Sequence, residues 1–219
     1  ILLVQTDNTL NESTVPTHKT DWWPWGGIVG DVYLVETPNE YIKNAYLQLN
    51  PDDFSQAVFK LQMATKSSRQ KVILEIPELK YKEEFETDSS GFIQENIIIT
   101  PELWSPSNPK LYKVIISSQN ESISDEIGFR SIKTKGQKIF LNDNEIKFKG
   151  IAMHSEPIGE PGPAFSKEHF KKLLATAADL NINFIRAAHY PYTRHLAKVA
   201  DQIGLMVWEE IPVYWNIDW

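Results

Sequence analysis

Cysteine is missing from the chain, which excludes disulfide frameworks and thiolate metal sites and leaves the redox compartment unread. Long apolar runs are missing as well: none approaches the ~20 residues of a membrane-spanning helix. Positive charge is scarce. The 22 Lys and Arg are outnumbered by 29 Asp and Glu, and a net charge of -7 argues against a nucleic-acid partner, which would want a basic face. A leading Met and a basic leader are also lacking. The opening Ile1-Leu2-Leu3-Val4 reads as a strand entered partway, so no compartment is set: periplasmic, secreted and cytoplasmic locations all remain open.

What the chain does have is a composition able to build a core, with 42% apolar and 23% charged residues. Its 7 Trp are many for 219 residues, and clustered Trp suits stacking on the flat apolar faces of ligands such as sugars.

Three regions differ in texture. Residues 1–36 hold the opening apolar segment, a polar stretch, then Asp21-Trp22-Trp23-Pro24-Trp25-Gly26-Gly27 and the strand-like Asp31-Val32-Tyr33-Leu34-Val35. This is too little to bury a core, and it is expected to be the last part of a β-domain. Residues 37–135 alternate polar and apolar in short runs, at Ala45–Leu49, Ala57–Met63, Lys71–Ile76, Asn96–Thr100, Leu111–Ser117 and Ser122–Arg130. Turn-rich stretches such as Lys66-Ser67-Ser68 separate them, and such spacing predicts an antiparallel sandwich.

From residue 136 to 219 the rhythm changes. Asn142-Asp143-Asn144 predicts a hairpin turn, and Gly150–Met153, Asn183–Arg186 and Leu205–Trp208 read as buried strands. Between them lie two amphipathic helices, one capped by Ser166 and carrying Phe170, Leu173, Leu174, Ala177 and Leu180, the other ending at Gly204. Strands alternating with helices predict a parallel sheet. A complete (β/α)8 barrel takes roughly 250 residues, so this region is expected to be the first three strands of one.

In such barrels the working residues lie at the C-terminal ends of the strands. Three strand ends here carry His154-Ser155-Glu156, then Arg186-Ala187-Ala188-His189-Tyr190-Pro191-Tyr192, then Glu209-Glu210-Ile211-Pro212-Val213-Tyr214-Trp215. Imidazoles, a cation, carboxylates and rings converging on one mouth suit a sugar. Each also has a structural reading, such as an internal Arg186 ion pair with Glu209 or Glu210. The two adjacent glutamates cannot be a catalytic pair, because neighbours on a strand point to opposite faces, whereas a retaining glycosidase needs two carboxyls about 5 Å apart in one cavity.

At these residues the sequence resembles glycoside hydrolase family 2. Arg186-Ala187-Ala188-His189-Tyr190-Pro191 is similar to that family's Arg-x-x-His-Tyr-Pro segment, and Asp201 through Glu210 to its Asp-x-x-Gly-(apolar)-Glu stretch. Lys149-Gly150 with His154 resembles its first barrel strand, and Gly128-Phe129-Arg130 with Leu141-Asn142 its junction between sandwich and barrel. The Asp21-Trp22-Trp23 segment with Asp31-Val32-Tyr33-Leu34 looks like the end of its jelly roll.

The resemblance implies three parts: residues 1–36 as the end of a jelly-roll sugar-binding domain, 37–135 as an immunoglobulin-like β-sandwich, and 136–219 as the start of a TIM barrel. It implies a retaining exo-β-glycosidase of β-galactosidase or β-glucuronidase type. Asp21 would reach sugar hydroxyls from the jelly roll, His154, Arg186 and His189 would line the sugar subsite, and Glu210 would support it. In some members the aspartate matching Asp21 shares a cation site; no cofactor is otherwise implied. The partner would be a carbohydrate, with oligomeric state left open. Ser155, where many members have Glu, and Gly30, where Arg is frequent, depart from the pattern. The family's acid/base and nucleophile follow its fourth and seventh barrel strands, so no residue here is expected to be catalytic and the chain by itself is expected to be inactive. The alternative is a non-catalytic carbohydrate-binding or scaffold protein with the same folds.

Overall fold

The structure, a computed structural model, describes residues 1–64 and 69–213. The turn-rich stretch at Lys66-Ser67-Ser68 and the strand-end residues Tyr214 and Trp215 lie outside the described residues. The chain forms two compact units, one of residues 34–147 and one of residues 1–33 with 148–219.

Residues 41–127 form two antiparallel sheets. One joins β1 (Tyr41–Leu49), β2 (Gln56–Ala64) and β5 (Phe92–Ile98) in the order β1-β2-β5. The other joins β3 (Lys71–Ile76), β4 (Tyr81–Glu86), β6 (Tyr112–Ser117) and β7 (Ser122–Ile127) in the order β4-β3-β6-β7. The expected alternation is visible residue by residue: along β2, Ala57, Phe59, Leu61 and Met63 are buried, and Val72, Leu74 and Ile76 of β3 join the same core. β4 is absent from the sequence expectation because Lys82, Glu83, Glu84 and Glu86 hide its period. It is an edge strand, where charge discourages pairing with other chains.

Three short strands follow, β8 (Ile132–Lys135), β9 (Lys138–Leu141) and β10 (Asn144–Glu145), in the order β10-β9-β8. The predicted turn is present: Asn142 and Asp143 have φ of 51° and 62°, the signature of a type I′ hairpin. Asn142 also accepts from Ser131 N (3.0 Å) and donates to Trp104 O (2.9 Å). Trp104 is fully buried, with the Arg130 guanidinium 4.2 Å over its ring, and a Cβ on Gly128 would come within 2.6 Å of that ring. The Gly128-Phe129-Arg130 and Leu141-Asn142 pairing is therefore a packing requirement.

In the other unit, β11 (Gly150–Met153), β12 (Phe184–Ala187) and β13 (Met206–Glu209) form a parallel sheet in that order, connected through α1 (Lys167–Asp179) and α2 (Arg194–Ile203). Ser166 Oγ accepts from His169 N, the predicted N-cap, and Gly204 closes α2 in the left-handed region at φ 80°. Phe170, Leu174 and Ala177 of α1 pack with Leu196, Val199 and Ala200 of α2 over Ile185 and Ala187. Leu180 falls just beyond α1 and is exposed instead of joining the stripe. Asn183 aligns the strand starts, with its side chain accepting from Lys149 N (2.8 Å) and its carbonyl from Met206 N (3.0 Å). Gly150 lies so close to Phe184 O that a Cβ would sit 2.4 Å from it.

The strands expected at Ile1–Val4 and Asp31–Val35 do not form, and no residue from 1 to 40 lies in a strand. Ile1, Leu2, Leu3, Val32, Leu34 and Val35 are exposed. Alternating apolar residues become a strand only against a hydrogen-bonding partner, and among the described residues no segment pairs with these.

Candidate functional site

The parallel register lines up Met153, Ala187 and Glu209 as the last residues of the three strands. The next residues, His154, Ala188 and Glu210, therefore emerge side by side. Arg186 precedes Ala187 in β12, aligned with Ala152 and Trp208, and so projects to the face opposite Ile185 and Ala187.

Arg186 and Glu210 meet in a bidentate pair, Nε to Oε1 at 2.5 Å and Nη2 to Oε2 at 3.1 Å. His189 Nδ1 lies 3.2 Å from the same Oε2 and 3.4 Å from Arg186 Nη2. With the proton on Nδ1 the imidazole donates to the carboxylate, and the 3.4 Å approach of the guanidinium, which can only donate, is then a contact and not a second hydrogen bond. The Glu210 and His189 side chains are 18% and 14% exposed, against 43% for Arg186, so the cation is the member presented outward. The Arg186 guanidinium, more than anything else, holds the Glu210 carboxyl below the usual carboxylate range, with burial opposing it and His189 adding to it.

Aromatic groups surround this cluster. The His154 and His189 rings meet edge to face with centroids 5.4 Å apart. Trp22, only 9% exposed, lies 5.3 Å from His189 and 5.7 Å from Tyr190. Two cavities border these residues. One, of about 390 Å3, is lined by Arg186, His189, Trp208, Glu209 and Glu210. The other, of about 400 Å3, is mostly apolar and includes Trp22, Trp23, Trp25, Tyr190 and Tyr192.

Of the five residues expected from the sequence, Arg186, His189 and Glu210 share one hydrogen-bonded cluster and His154 adjoins it through His189. Asp21 is exposed and reaches the site's neighbourhood through Trp22, the next residue. Between the two readings of Arg186, the ion pair is the one observed, with Glu210 as partner. Sequence reasoning missed Trp22 as a wall of the site, although it stood in the singled-out tryptophan segment. It named Tyr190 and Tyr192 among the strand-end rings but not the backbone groups that their hydroxyls bond. Among the described residues, no group of three or more His, Cys, Asp or Glu side chains is placed to hold a metal ion.

Comparison with known proteins bears on this geometry. The profile described as "Glycosyl hydrolases family 2" matches residues 40–130, and "Glycosyl hydrolases family 2, TIM barrel domain" matches residues 132–215. A β-galactosidase of Actinobacillus pleuropneumoniae is 32% identical over 88% of this chain and 19% of its own length. A β-galactosidase of Halalkalibacterium halodurans is 27% identical over 91% of this chain and 21% of its own. Among solved structures, a Parabacteroides merdae β-glucuronidase superposes with a TM-score of 0.79 at 22% identity, over 95% of this chain and 28% of that one, a likeness of fold. The chain thus spans about a fifth of the length of the two curated relatives.

Proposed function

Because the chain belongs to glycosyl hydrolases family 2, with its last third the start of a TIM barrel domain, we propose that it is part of a retaining exo-β-glycosidase of β-galactosidase or β-glucuronidase type. The observation that carries this is the Arg186–Glu210–His189 cluster at the C-terminal ends of three parallel strands, where barrel enzymes bind their substrates. Arg186 offers fixed donors to sugar hydroxyls, oriented by a carboxylate that faces inward. His154 and His189 add ring nitrogens, and Trp22 supplies an apolar face against which a pyranose can stack.

On this reading residues 1–36 end a jelly-roll domain that contributes Asp21 and Trp22, residues 37–135 are the immunoglobulin-like sandwich, and residues 136–219 begin the barrel. The site residues are Asp21, His154, Arg186, His189 and Glu210, all engaged in holding the sugar. The acid/base and nucleophile carboxylates belong to barrel strands beyond the three described, so these 219 residues alone turn over no substrate.

The test is release of chromophore from a β-galactoside and a β-glucuronide by the intact protein, with Arg186→Ala beside it. One of the two glycosides is expected to be cleaved, with kcat/KM lowered on the order of a hundredfold in the variant. Binding of the sugars without release of chromophore would replace the enzyme with a carbohydrate-binding protein; release that is unchanged in Arg186→Ala would move the sugar site away from this cluster.

A further inference from the structure

The edge-to-face arrangement of His154 and His189 needs an explanation, because neither residue lies in a strand. The ladder between β11 and β12 ends at Met153 and Ala187, with one more bond from Ala188 N to Met153 O (3.1 Å). Beyond it, two tyrosines take over. The Tyr192 hydroxyl donates to Met153 O (2.5 Å) and lies 3.1 Å from Ala188 O. The Tyr190 hydroxyl accepts from Ser155 N (3.1 Å). Their rings stack on each other with centroids 5.4 Å apart, and Phe170 of α1 backs Tyr192 at 6.1 Å.

The sequence positions matter. His154 lies between Met153 and Ser155, and each of these neighbours is held by one tyrosine. His189 lies between Ala188, held by Tyr192, and Tyr190 itself. Ser155 closes a second bond pattern, its Oγ donating to Ala164 O (3.0 Å) and its backbone carbonyl accepting from Ala164 N (2.7 Å), which fastens the neck of the loop that follows. Both imidazoles are therefore fixed on both flanks by the same stacked pair.

We propose that Tyr190 and Tyr192 are positioning residues that set the separation and angle of the His154 and His189 rings, and so the fit of the sugar, without touching it themselves. This rests on the functional reading given above. Ser155 supplies its backbone N–H to Tyr190 and a short hydroxyl to the loop neck. Binding geometry of this kind is steep, since misplacement by about 1 Å can cost on the order of a hundredfold in rate.

The test uses the intact protein with Tyr192→Phe, Tyr190→Phe and the pair of substitutions His154→Ala and His189→Ala. Each tyrosine variant keeps its ring and its stack but loses the hydroxyl. Each is expected to lower kcat/KM for a simple β-glycoside about tenfold. In the background lacking both imidazoles, Tyr192→Phe is expected to change kcat/KM by less than about twofold, because a residue acting through the histidines has nothing left to position. Full additivity in that background would overturn the proposal and leave the tyrosines as general stabilisers. Crystal structures of the parent and Tyr192→Phe give a second readout that needs no activity: the ring separation is expected to shift in the variant, and an unchanged 5.4 Å separation would overturn the proposal. Absence of any glycosidase activity would defeat the functional reading alone, with ring geometry still deciding the role of the tyrosines.

Discussion

The sandwich and the parallel sheet differ in what covers them. In the sandwich, inward residues of both sheets share one core, while the outward faces carry ion pairs such as Lys82 with Glu75. In the parallel sheet only the face under α1 and α2 is sealed. On the other face Trp208, aligned with Arg186, is 58% exposed, although parallel strands are normally buried on both sides. The sandwich is therefore held by burial that it completes internally. The mouth of the parallel sheet is held by hydrogen bonds at strand ends, made between groups whose apolar surroundings cover one side only. The difference separates a part held by buried apolar area from a part held by polar contacts at strand ends.

The largest effect that tests this separation comes from matched core deletions. Phe59 in β2 and Phe170 in α1 are both fully buried. Phe59→Ala is expected to cost about 3–5 kcal/mol, because the two facing sheets cannot collapse into the space. Phe170→Ala is expected to cost less, since helices over a one-sided sheet can settle inward. Denaturant unfolding of each variant measures both. Equal losses would remove the distinction between a closed and a half-covered core.

Next in size is Glu210→Gln, which keeps the shape of the side chain and removes the charge. Arg186 then loses the carboxylate that orients it, and sugar affinity in the intact protein is expected to fall on the order of a hundredfold. A pH dependence goes with it. The folded carboxyl is depressed, chiefly by Arg186, relative to an unfolded value near ~4.3. Its stabilisation is thus fully present above that value and is lost as pH falls through the lower folded one. Unfolding midpoints followed from neutral to acid pH should fall more steeply for the parent than for Glu210→Gln; parallel curves would show that the pair contributes no linkage.

How much of this was readable from sequence follows the same division. The alternation along β2 and β3 and the heptad-like spacing of α1 report burial directly, so those elements were legible. β4 was not, because Lys82, Glu83, Glu84 and Glu86 serve its edge position and mask the period. Asp31–Val35 misled in the other direction, since a strand-like composition states a capacity for pairing and cannot state that a partner is present. At the site, Arg186, His189 and Glu210 were legible from strand-end placement. The part played by the Tyr190 and Tyr192 hydroxyls was not, because they bond backbone groups at Met153, Ser155 and Ala188, and main-chain partners leave no mark in side-chain identity.

Gly128→Ala probes the sandwich on a smaller scale. Its Cβ would meet Trp104 Cδ1 at 2.6 Å, and that buried indole also lies against the Arg130 guanidinium. A loss of about 1–3 kcal/mol is expected from overpacking, with a change in Trp104 fluorescence as the local signature. An unchanged midpoint would mean that the ring has room to move, and that the glycine serves the chain's path alone.

The smallest effect should come from Lys138→Ala in β9. Lys138 Nζ lies 2.6 Å from Glu145 Oε2, nearly as short as the 2.5 Å closest contact between Arg186 and Glu210. Distance alone would rank the two pairs together. The Lys138 and Glu145 side chains are 59% and 40% exposed, however, so water screens their attraction and both chains lose rotamer freedom to meet. The unfolding midpoint is expected to stay within the error of the measurement at ordinary salt, whereas Glu210→Gln moves both affinity and the acid limb. A clear destabilisation by Lys138→Ala that vanishes at high salt would show that surface charge contributes to the sandwich after all, and that its division from the strand-end cluster is one of degree.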